Sequence, residues 1–587
     1  MRRGIPVSPG VAVGTVYCLH DIYVRPDTKL LEDREISAEL AKYETACDRA
    51  GDDLRALRTK VTRQVGPSEG AIFGVHESIL HDSTFRNKIR GAIVDQRVTA
   101  QVALQQLLSE YTKLFDRTRD QYLKERLTDV REVVLRLSAH LTDVTNAESC
   151  PISGPLIVAA NELLPSQAVA LGDNDVAAII TQSGSQTSHA AIIARSRGIP
   201  AVSGIRGLMK QIKTGDIVIV DGREGHVLIN PDAETLSAFR KLEREFFDLK
   251  DQLAANRDNP AVTAGGTTLN LLANINNVTD ARSATAMGAS GVGLYRTEYL
   301  YLTHPSVPEE EEQLEVYKAI IDASPGHTVT VRTLDIGGDK TVPYLGHEYQ
   351  EANPFMGWRS IRLSFEHPSF FNQQIRAALR AGAHARDKGG ELRLMFPMIT
   401  TLEEIQRVRR LVGRACEQLT AEKKDFEKIP LGMMLEVPAA AITIDDMLEI
   451  VDFVSIGSND LVQYLMAADR DNPKVSHLCQ PLSPPVLRTL NLVIRACNDA
   501  KVPVTLCGEM AGQPRAFVLL LGMGLRNFSM SPAFVPTIKD LASHIHCGKA
   551  EEILKHVLAL KTTAHVKRFM SAQIKKLAPN LAMLDAG

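Results

Sequence analysis

Apolar runs of strand length recur along the second half of the chain. They lie at residues 269–273, 291–295, 328–334, 392–396, 431–435, 452–456, 503–507 and 527–530. Most of these runs are separated by stretches long enough to form a helix, which is the pattern of parallel strands joined by helical crossovers. Eight such strands predict a (β/α)8 barrel, in which the polar residues that follow the strands gather at one mouth.

The first part of the chain carries a helical pattern. Between residues 36 and 61 the apolar positions are spaced alternately four and three apart, which predicts one long helix. Further helices are predicted at about 69–81, 84–95, 98–122 and 125–142. These residues therefore predict an all-helical segment.

Short apolar runs return after residue 150. They lie at residues 155–159, 176–180, 199–202, 216–222 and 225–229. Strands of this length with helices between them predict a compact mixed α/β domain. The first twenty residues predict two short strands around Ser8-Pro9-Gly10. We expect these strands to join the same sheet, so that the helical segment interrupts one domain.

A further helical pattern follows the α/β region. Apolar positions recur at helical spacing from Leu236 to Leu253. At a rise of about 1.5 Å per residue, the whole helix would reach roughly 37 Å. We interpret it as an arm that holds one domain away from the next.

The composition excludes several classes of protein. With 44% hydrophobic and 23% charged residues, the 587-residue chain has an ordinary globular composition. A net charge of −3 gives no bulk attraction to nucleic acid or to an acidic membrane surface. The cysteines are dispersed with no Cys-x-x-Cys pair, which favours a reducing compartment over a zinc site. Because no apolar run could span a bilayer or serve as a signal peptide, we expect a cytoplasmic protein.

One histidine stands at the start of a predicted helix. Residues 184–196 read Gly-Ser-Gln-Thr-Ser-His-Ala-Ala-Ile-Ile-Ala-Arg-Ser, in which Thr187 and Ser188 are good N-cap residues before His189. The free N–H groups and the dipole of a helix N-terminus favour an anion, so a phosphate on this imidazole would be partly compensated. A lone histidine of this kind is more often a core or capping residue, but the Thr-Ser pair and the second site described below favour the chemical role.

The stretch around His189 resembles the phosphohistidine signature of a known family. That family contains enzyme I of the phosphoenolpyruvate:sugar phosphotransferase system, pyruvate phosphate dikinase and phosphoenolpyruvate synthase. Its members usually have Gly-Gly or Gly-Ala where this chain has Gly184-Ser185. The difference concerns the conformation of the loop and leaves the chemistry unchanged.

Polar and reactive residues follow nearly every predicted barrel strand. They are Asn274, Arg296, Glu298, Arg332, Asp335, Glu436, Ser458, Asn459, Asp460, Cys507 and Glu509. Any one of them has an ordinary explanation as a solvated side chain. A charged or reactive group at almost every strand end is not a packing pattern, and it predicts a site at the barrel mouth.

The charges at this mouth suggest an anionic ligand such as phosphoenolpyruvate, whose phosphate and carboxylate together carry roughly three negative charges. Arg296, Arg332 and Arg470 supply planar guanidinium groups, and Lys340 adds a point charge on a glycine-containing loop.

Two carboxylates and an amide complete this predicted mouth. Glu436 and Asp460 are hard oxygen ligands suited to Mg²⁺, which takes one or two carboxylates together with phosphate oxygens and water. Asn459 is placed to reach the phosphate. Together with the arginines they would stabilise charge in phosphoryl transfer.

Several longer motifs in the second half resemble enzyme I in order and spacing. They begin at Gly291 (Gly-Val-Gly-Leu-Tyr-Arg-Thr-Glu), Val331 (Val-Arg-Thr-Leu-Asp-Ile-Gly-Gly-Asp-Lys), Asn353 (Asn-Pro-Phe-Met-Gly-Trp-Arg), Glu436 (Glu-Val-Pro-Ala-Ala), Asp452 (Asp-Phe-Val-Ser-Ile-Gly-Ser-Asn-Asp) and Cys507 (Cys-Gly-Glu-Met-Ala-Gly). The resemblance runs over nearly the whole chain.

The resemblance implies roles for individual residues. Arg296, Arg332 and Arg470 would bind phosphoenolpyruvate, and Glu436 and Asp460 would hold Mg²⁺. In the same way, His189 would accept the phosphoryl group, and Cys507 would protonate the enol carbon. The phosphoryl group would pass to the histidine-containing phosphocarrier HPr, docked on the helical insert, with release of pyruvate. The resemblance also implies a homodimer formed through the barrel.

These interpretations give a predicted division of the chain. We expect a swivelling phosphohistidine domain at 1–24 and 146–230, a helical HPr-binding subdomain at 25–145, and a linker helix at 231–258. A phosphoenolpyruvate-binding barrel would span 259–575, with a C-terminal tail at 576–587.

Other functions fit the sequence less well. A dikinase or phosphoenolpyruvate synthase would need a large ATP-binding domain, whereas the roughly 150 residues before the α/β region are mostly helical with no P-loop. A sensor that binds phosphoenolpyruvate without turnover would need neither His189 nor Cys507. The nitrogen-regulatory form of enzyme I carries an N-terminal sensory domain, and we expect none here.

Overall fold

The computed structural model describes most of the chain in two compact units. The described ranges are 2–8, 10–19, 30–64, 67–116, 121–141, 155–161, 163, 176–183, 194, 199–302, 306–337, 351, 353–470, 472 and 474–579. The units are Met1–Phe247 and Asp248–Asp585. In the described parts, no helix combines the length and the apolar character needed to cross a membrane.

The first unit contains an eight-stranded sheet. Its strands are β1 (Arg2–Arg3), β2 (Ile5–Ser8), β3 (Val11–Leu19), β4 (Leu156–Ala160), β5 (Val176–Thr181), β6 (Ala201–Ser203), β7 (Ile217–Asp221) and β8 (His226–Ile229). The order across the sheet is β1-β8-β7-β3-β4-β5-β6-β2. Strand β3 runs parallel to β4 and antiparallel to β7. The prediction that the first twenty residues join this sheet is confirmed.

Five helices lie between β3 and β4. They are α1 (Asp33–Gln64), α2 (Pro67–His81), α3 (Ser83–Asp95), α4 (Ala100–Asp116) and α5 (Gln121–Leu141). Their apolar faces form a core of their own, with Tyr43, Leu80 and Ile93 fully buried. The all-helical insertion is confirmed. The helix predicted at 98–122 is present from Ala100 to Asp116, and residues 117–120 lie outside the described part of the chain.

Helix α6 (Ala233–Ala255) follows the sheet, and the division between the two units falls inside it. The predicted helix is therefore present. Its role as an arm and the boundaries of the domains stay predictions.

The second unit is a closed barrel of eight parallel strands. They are β9 (Asn270–Ile275), β10 (Gly291–Arg296), β11 (Thr328–Arg332), β12 (Glu391–Phe396), β13 (Leu431–Leu435), β14 (Phe453–Ile456), β15 (Val504–Leu506) and β16 (Asn527–Met530). Strand β16 pairs with β9 and closes the barrel. The predicted (β/α)8 fold is confirmed, and each strand lies within about two residues of its predicted run.

Helices surround the barrel. They are α7 (Val278–Ala286), α8 (Glu298–Leu302), α9 (Glu310–Ala323), α10 (Ile361–Glu366), α11 (Pro368–Asp387), α12 (Leu402–Ala421), α13 (Pro438–Ile442), α14 (Ile444–Leu448), α15 (Ser458–Met466), α16 (Pro484–Asp499), α17 (Pro514–Gly522), α18 (Val535–Ser543), α19 (Cys547–Ala559) and α20 (Thr563–Leu577).

Apolar side chains fill the barrel interior beneath the mouth. Leu294, Met395, Met434 and Phe453 form a buried cluster that also includes Cys507. This layer keeps water out of the barrel and forms the floor of the polar site above it.

Candidate active site

Arg332, at the end of β11, lies between two carboxylates. Its Nη2 donates to Glu298 Oε1 at 2.7 Å, and its Nη1 pairs with Asp335 Oδ2 at 3.0 Å. All three side chains are buried. Desolvation would lower the pKa of Arg332, but the two carboxylates outweigh it and raise that pKa. Arg332 therefore stays charged, in a fixed orientation.

A second buried arginine, Arg359, joins this network. Its Nη2 donates to Asp335 Oδ1 at 2.9 Å and to Asp460 Oδ2 at 3.2 Å, and its Nη1 donates to the hydroxyl of Tyr464 at 3.2 Å. Burial would raise the pKa of Asp335, but Arg332 and Arg359 hold it below its usual range. The structure thus connects residues that are far apart in sequence into one ionic network.

Sequence reasoning did not single out Arg359 as a site residue. It lies in the long connection between β11 and β12, so the rule that polar residues follow strand ends could not locate it. The signal was the arginine that closes the motif beginning at Asn353.

Glu436 follows β13 and is almost completely buried. Its Oε1 accepts a hydrogen bond from the backbone N–H of Met398 at 2.7 Å. Burial, together with the negative charges of Asp460 and Asp335, raises the pKa of Glu436 to about 8. Gly457 leaves room for this carboxylate, because a Cβ there would lie 2.6 Å from Glu436 Oε2.

The pair of Glu436 and Asp460 suits a divalent cation. The two carboxylates repel each other in a buried site, and a bound cation would relieve that repulsion. Both also supply the hard oxygen ligands that Mg²⁺ prefers. Among the described residues no group of three His, Cys, Asp or Glu side chains could hold a metal. Substrate oxygens and water would therefore have to complete the coordination of Mg²⁺.

Arg296, at the end of β10, differs from the other two arginines. It makes no ion pair with any residue that the structure describes. Desolvation and the positive charge of Arg332 lower its pKa, so its charged form is held at an energetic disadvantage. A bound anion would remove that disadvantage.

Arg470 lies beside the same carboxylate pair. Its Nη1 contacts Asp460 Oδ1 at 2.9 Å, and its backbone N–H donates to Gln463 Oε1 at 3.1 Å. Its side chain is more than one-third exposed. Arg470 therefore offsets the charge of Asp460 from a more exposed position than the other arginines of the network.

Asn459 and Cys507 follow the neighbouring strands β14 and β15. Asn459 Oδ1 accepts from the N–H of Glu509 at 3.3 Å, and Cys507 Sγ donates to the carbonyl of Ile456 at 3.4 Å. Burial raises the pKa of Cys507, so its thiol stays protonated at neutral pH. A protonated thiol is an acid and a poor nucleophile.

The barrel thus brings together Arg296, Arg332, Glu436, Asn459, Asp460, Arg470 and Cys507 at the ends of its strands. His189 and Lys340 lie outside the described residues. Their predicted roles stay predictions.

Comparison with known proteins gives matches over most of the chain. The model of the PEP-binding domain of PEP-utilising enzymes matches residues 250–547, that of their N-terminal domain matches 3–126, and that of their mobile domain matches 152–225.

Two similar relatives are phosphoenolpyruvate-protein phosphotransferases from Bacillus sp. (strain S) and Geobacillus stearothermophilus. Each is 39% identical over 569 residues, which is 97% of this chain and 97% of the relative. A solved NMR structure of an Enzyme I protein is 30% identical and covers 42% of this chain and 99% of its own, with a TM-score of 0.36.

Proposed function

Because the chain belongs to the phosphoenolpyruvate-protein phosphotransferase family of PEP-utilising enzymes, we propose that it transfers the phosphoryl group of phosphoenolpyruvate to a histidine of a carrier protein. Pyruvate is the second product. The observation that carries this function is the barrel mouth. There Arg296, which makes no ion pair with a described residue, lies near the protonated thiol of Cys507, and Glu436 and Asp460 form a buried carboxylate pair.

Phosphoenolpyruvate binds through the arginines of the mouth. Arg296 pairs with the anion, and Arg332, held by Glu298 and Asp335, presents its guanidinium in one orientation. Arg470, Asn459 and Lys340 add contacts to the phosphate. Fixed cations suit phosphoryl transfer because they stabilise the charge that develops on the oxygens without reorganising.

Mg²⁺ is the proposed cofactor, held by Glu436 and Asp460. When bound, the ion would stabilise negative charge on the substrate during the transfer. Glu436 would have to give up its proton to hold the ion, since a ligand carboxylate must be ionised. The adjacent Arg359 then balances the charge of Asp335 and Asp460 and keeps the second carboxylate in place.

His189 is the proposed acceptor. Its neutral imidazole attacks phosphorus in line, the bond from phosphorus to the enol oxygen breaks, and a phosphohistidine forms. The helix that we predict at His189 would stabilise the phosphate through its free N–H groups. A second transfer then passes the phosphoryl group to a histidine of the carrier.

Cys507 is the proposed acid. Its thiol gives a proton to C3 of the enolate, which then becomes pyruvate. Because the enolate is the reactive leaving group, its protonation makes the reverse transfer unfavourable.

The proposed carrier is HPr, and its docking surface is the insert formed by α1 to α5. The insert supports this role because it has a core separate from the sheet and interrupts that sheet between two paired strands. The reaction is then the first step of the sugar phosphotransferase system.

We further propose a cytoplasmic homodimer. None of the seven cysteines that the structure describes forms a disulfide, which suits a reducing compartment. Ile442 is 82% exposed and Leu492 is 52% exposed, on barrel helices α13 and α16, which contact each other. We propose that a second subunit covers these exposed apolar side chains.

The test is phosphorylation of the full-length protein with ³²P-labelled phosphoenolpyruvate and Mg²⁺. We expect an acid-labile label that maps to His189, chases onto added HPr and requires the metal. His189→Ala should remove the label while phosphoenolpyruvate binding, measured by calorimetry, persists, because acceptor and substrate are on different units. A His189→Ala protein that still takes up label at the normal rate would exclude His189 as the acceptor.

A further inference from the structure

Asn274 and the buried Ser529 form a partly buried hydrogen-bonded relay that ends on the backbone of Cys507. Asn274 Nδ2, at the end of β9, donates to the carbonyl of Cys507 at 2.8 Å. Its Oδ1 accepts from the hydroxyl of Ser529, on β16, at 2.6 Å. A carbonyl can only accept, so the amide nitrogen has to face Cys507 and the amide oxygen has to face Ser529.

The neighbouring strand is shaped to hold this relay. At Gly293, on β10, a Cβ would lie 2.4 Å from Ser529 Oγ and 2.6 Å from Ser529 Cβ. Any larger residue would displace the hydroxyl, whereas glycine lets it reach Asn274. Residues of three strands, β9, β10 and β16, thus support one hydrogen bond to Cys507, which directly follows the fourth strand, β15.

Cys507 is held from its other sides as well. Its N–H and its Sγ both donate to the carbonyl of Ile456, at 3.0 Å and 3.4 Å. At Gly508 a Cβ would lie 1.8 Å from the hydroxyl oxygen of Ser458, so this residue packs directly on the start of α15. The hydrogen bond from Asn274 fixes the backbone carbonyl of Cys507. It thereby fixes the plane of the peptide bond that joins Cys507 to Gly508.

We infer that Asn274, supported by Ser529, is a positioning residue that aims the thiol of Cys507 at the enol carbon. This inference rests on the proposed function. In the step concerned, the S–H bond breaks and a C3–H bond forms with the electron pair of the enolate. The thiolate left behind regains its proton from water. Fixing the peptide plane sets the direction of the Cα–Cβ bond, and proton transfer to carbon depends steeply on that alignment.

The test separates phosphoryl transfer from proton transfer in the full-length protein. Phosphoenzyme formation from ³²P-phosphoenolpyruvate is measured by rapid quench. Proton transfer is measured by NMR as the loss of pyruvate methyl hydrogen signal in D₂O, with enzyme, phosphoenolpyruvate, pyruvate and Mg²⁺ at equilibrium. Each return passage through the enolate places one solvent deuterium on C3.

We expect Asn274→Ala to slow this exchange by about tenfold or more while phosphoenzyme formation changes little. Ser529→Ala should slow the exchange less, because the amide keeps its bond to Cys507. The matched control is Asn270→Ala, since Asn270 lies at the other end of β9 and donates to Asn527 on β16 at 2.7 Å. This control should leave both rates unchanged.

Two results would overturn the inference. Unchanged exchange in Asn274→Ala would show that the relay does not aim the thiol, and equal losses in both rates would place Asn274 on the substrate. If Asn274→Ala fails to fold, as judged by circular dichroism, Ser529→Ala takes its place in the test. Its exchange rate and its rate of phosphoenzyme formation are then compared in the same way. Failure of the proposed function looks different, because the unmodified protein would then form no phosphoenzyme.

Discussion

The raised pKa of Glu436 predicts that Mg²⁺ binding releases a proton. The carboxyl group is buried beside Asp460 and Asp335, which together with desolvation raise its pKa to about 8. Below that pH the group is protonated, and it has to lose the proton to become a ligand. The affinity for the ion should therefore rise with pH, and Glu436→Gln should abolish that dependence.

The size of the effect follows from the pKa. At pH 7 about nine-tenths of Glu436 is protonated, so binding of one ion releases about 0.9 proton, and ionisation costs about 1.4 kcal/mol. At pH 9 about one-tenth is protonated. The apparent affinity should thus rise about tenfold from pH 7 to pH 9. The substrate phosphate, with a second pKa of about 6, is already ionised over this range.

The measurement is isothermal titration calorimetry of Mg²⁺ with saturating phosphoenolpyruvate, in two buffers that differ in ionisation enthalpy. All proteins compared carry His189→Ala, so that no phosphoryl transfer adds to the heat of binding. The difference between the binding heats in the two buffers gives the number of protons released per ion bound. Glu509→Gln is the matched control, because Glu509 is an exposed carboxylate beside the same mouth, and it should release as many protons as the unmodified protein. A proton count near zero at pH 7, or an unchanged count in Glu436→Gln, would refute the reasoning.

Three further predictions follow from the same site. Cys507→Ala should still form phosphoenzyme, but with HPr in excess it should release pyruvate much more slowly than the unmodified protein. Cys479→Ala should release pyruvate at the normal rate. Equal rates of pyruvate release for the two variants would exclude Cys507 as the acid. Gly457→Ala should weaken Mg²⁺ binding and destabilise the barrel by about 1–3 kcal/mol, because the added Cβ would press on Glu436. Gly413→Ala should not destabilise it, because a Cβ at that position meets no atom within 4 Å. Equal urea midpoints for the two variants would contradict this prediction. In metal-free buffer, the free energy of unfolding, compared with that of Glu436→Gln, should fall by about 1.4 kcal/mol per pH unit between pH 5 and pH 8. The reason is that the unfolded chain has already lost the proton that Glu436 keeps in the folded protein. If urea unfolding shows the same difference between the two proteins at every pH, the prediction is wrong.

The barrel and its mouth could be predicted because their signals are local. Each strand is a short apolar run, and the chemistry of a barrel mouth follows directly after the runs, as at Glu436 and Cys507. Arg359 shows where this reasoning ends. Its partners, Asp335 and Asp460, lie 24 and 101 residues away, and no spacing rule connects a residue in a long loop to them.

Interactions that run through the backbone were also beyond sequence reasoning. Asn274 could be placed at the mouth, but its bond to the carbonyl of Cys507 spans 233 residues and depends on the closure of the barrel. The space at Gly293 that admits Ser529 likewise exists only once β9, β10 and β16 are side by side.

The position of the helical insert has a consequence for the nascent chain. Strand β3 ends at Leu19, but its neighbours β4 and β7 are Leu156–Ala160 and Ile217–Asp221. At about 5–20 residues per second, the ribosome completes β7 roughly 10–40 s after β3. Helices α1 to α5 mostly contact one another, so they can fold within that interval. Val11, Val13 and Val16, which are buried in the finished sheet, have to wait exposed through it. We therefore expect β3 to stay open to chaperones and to aggregation until β4 and β7 have left the ribosome.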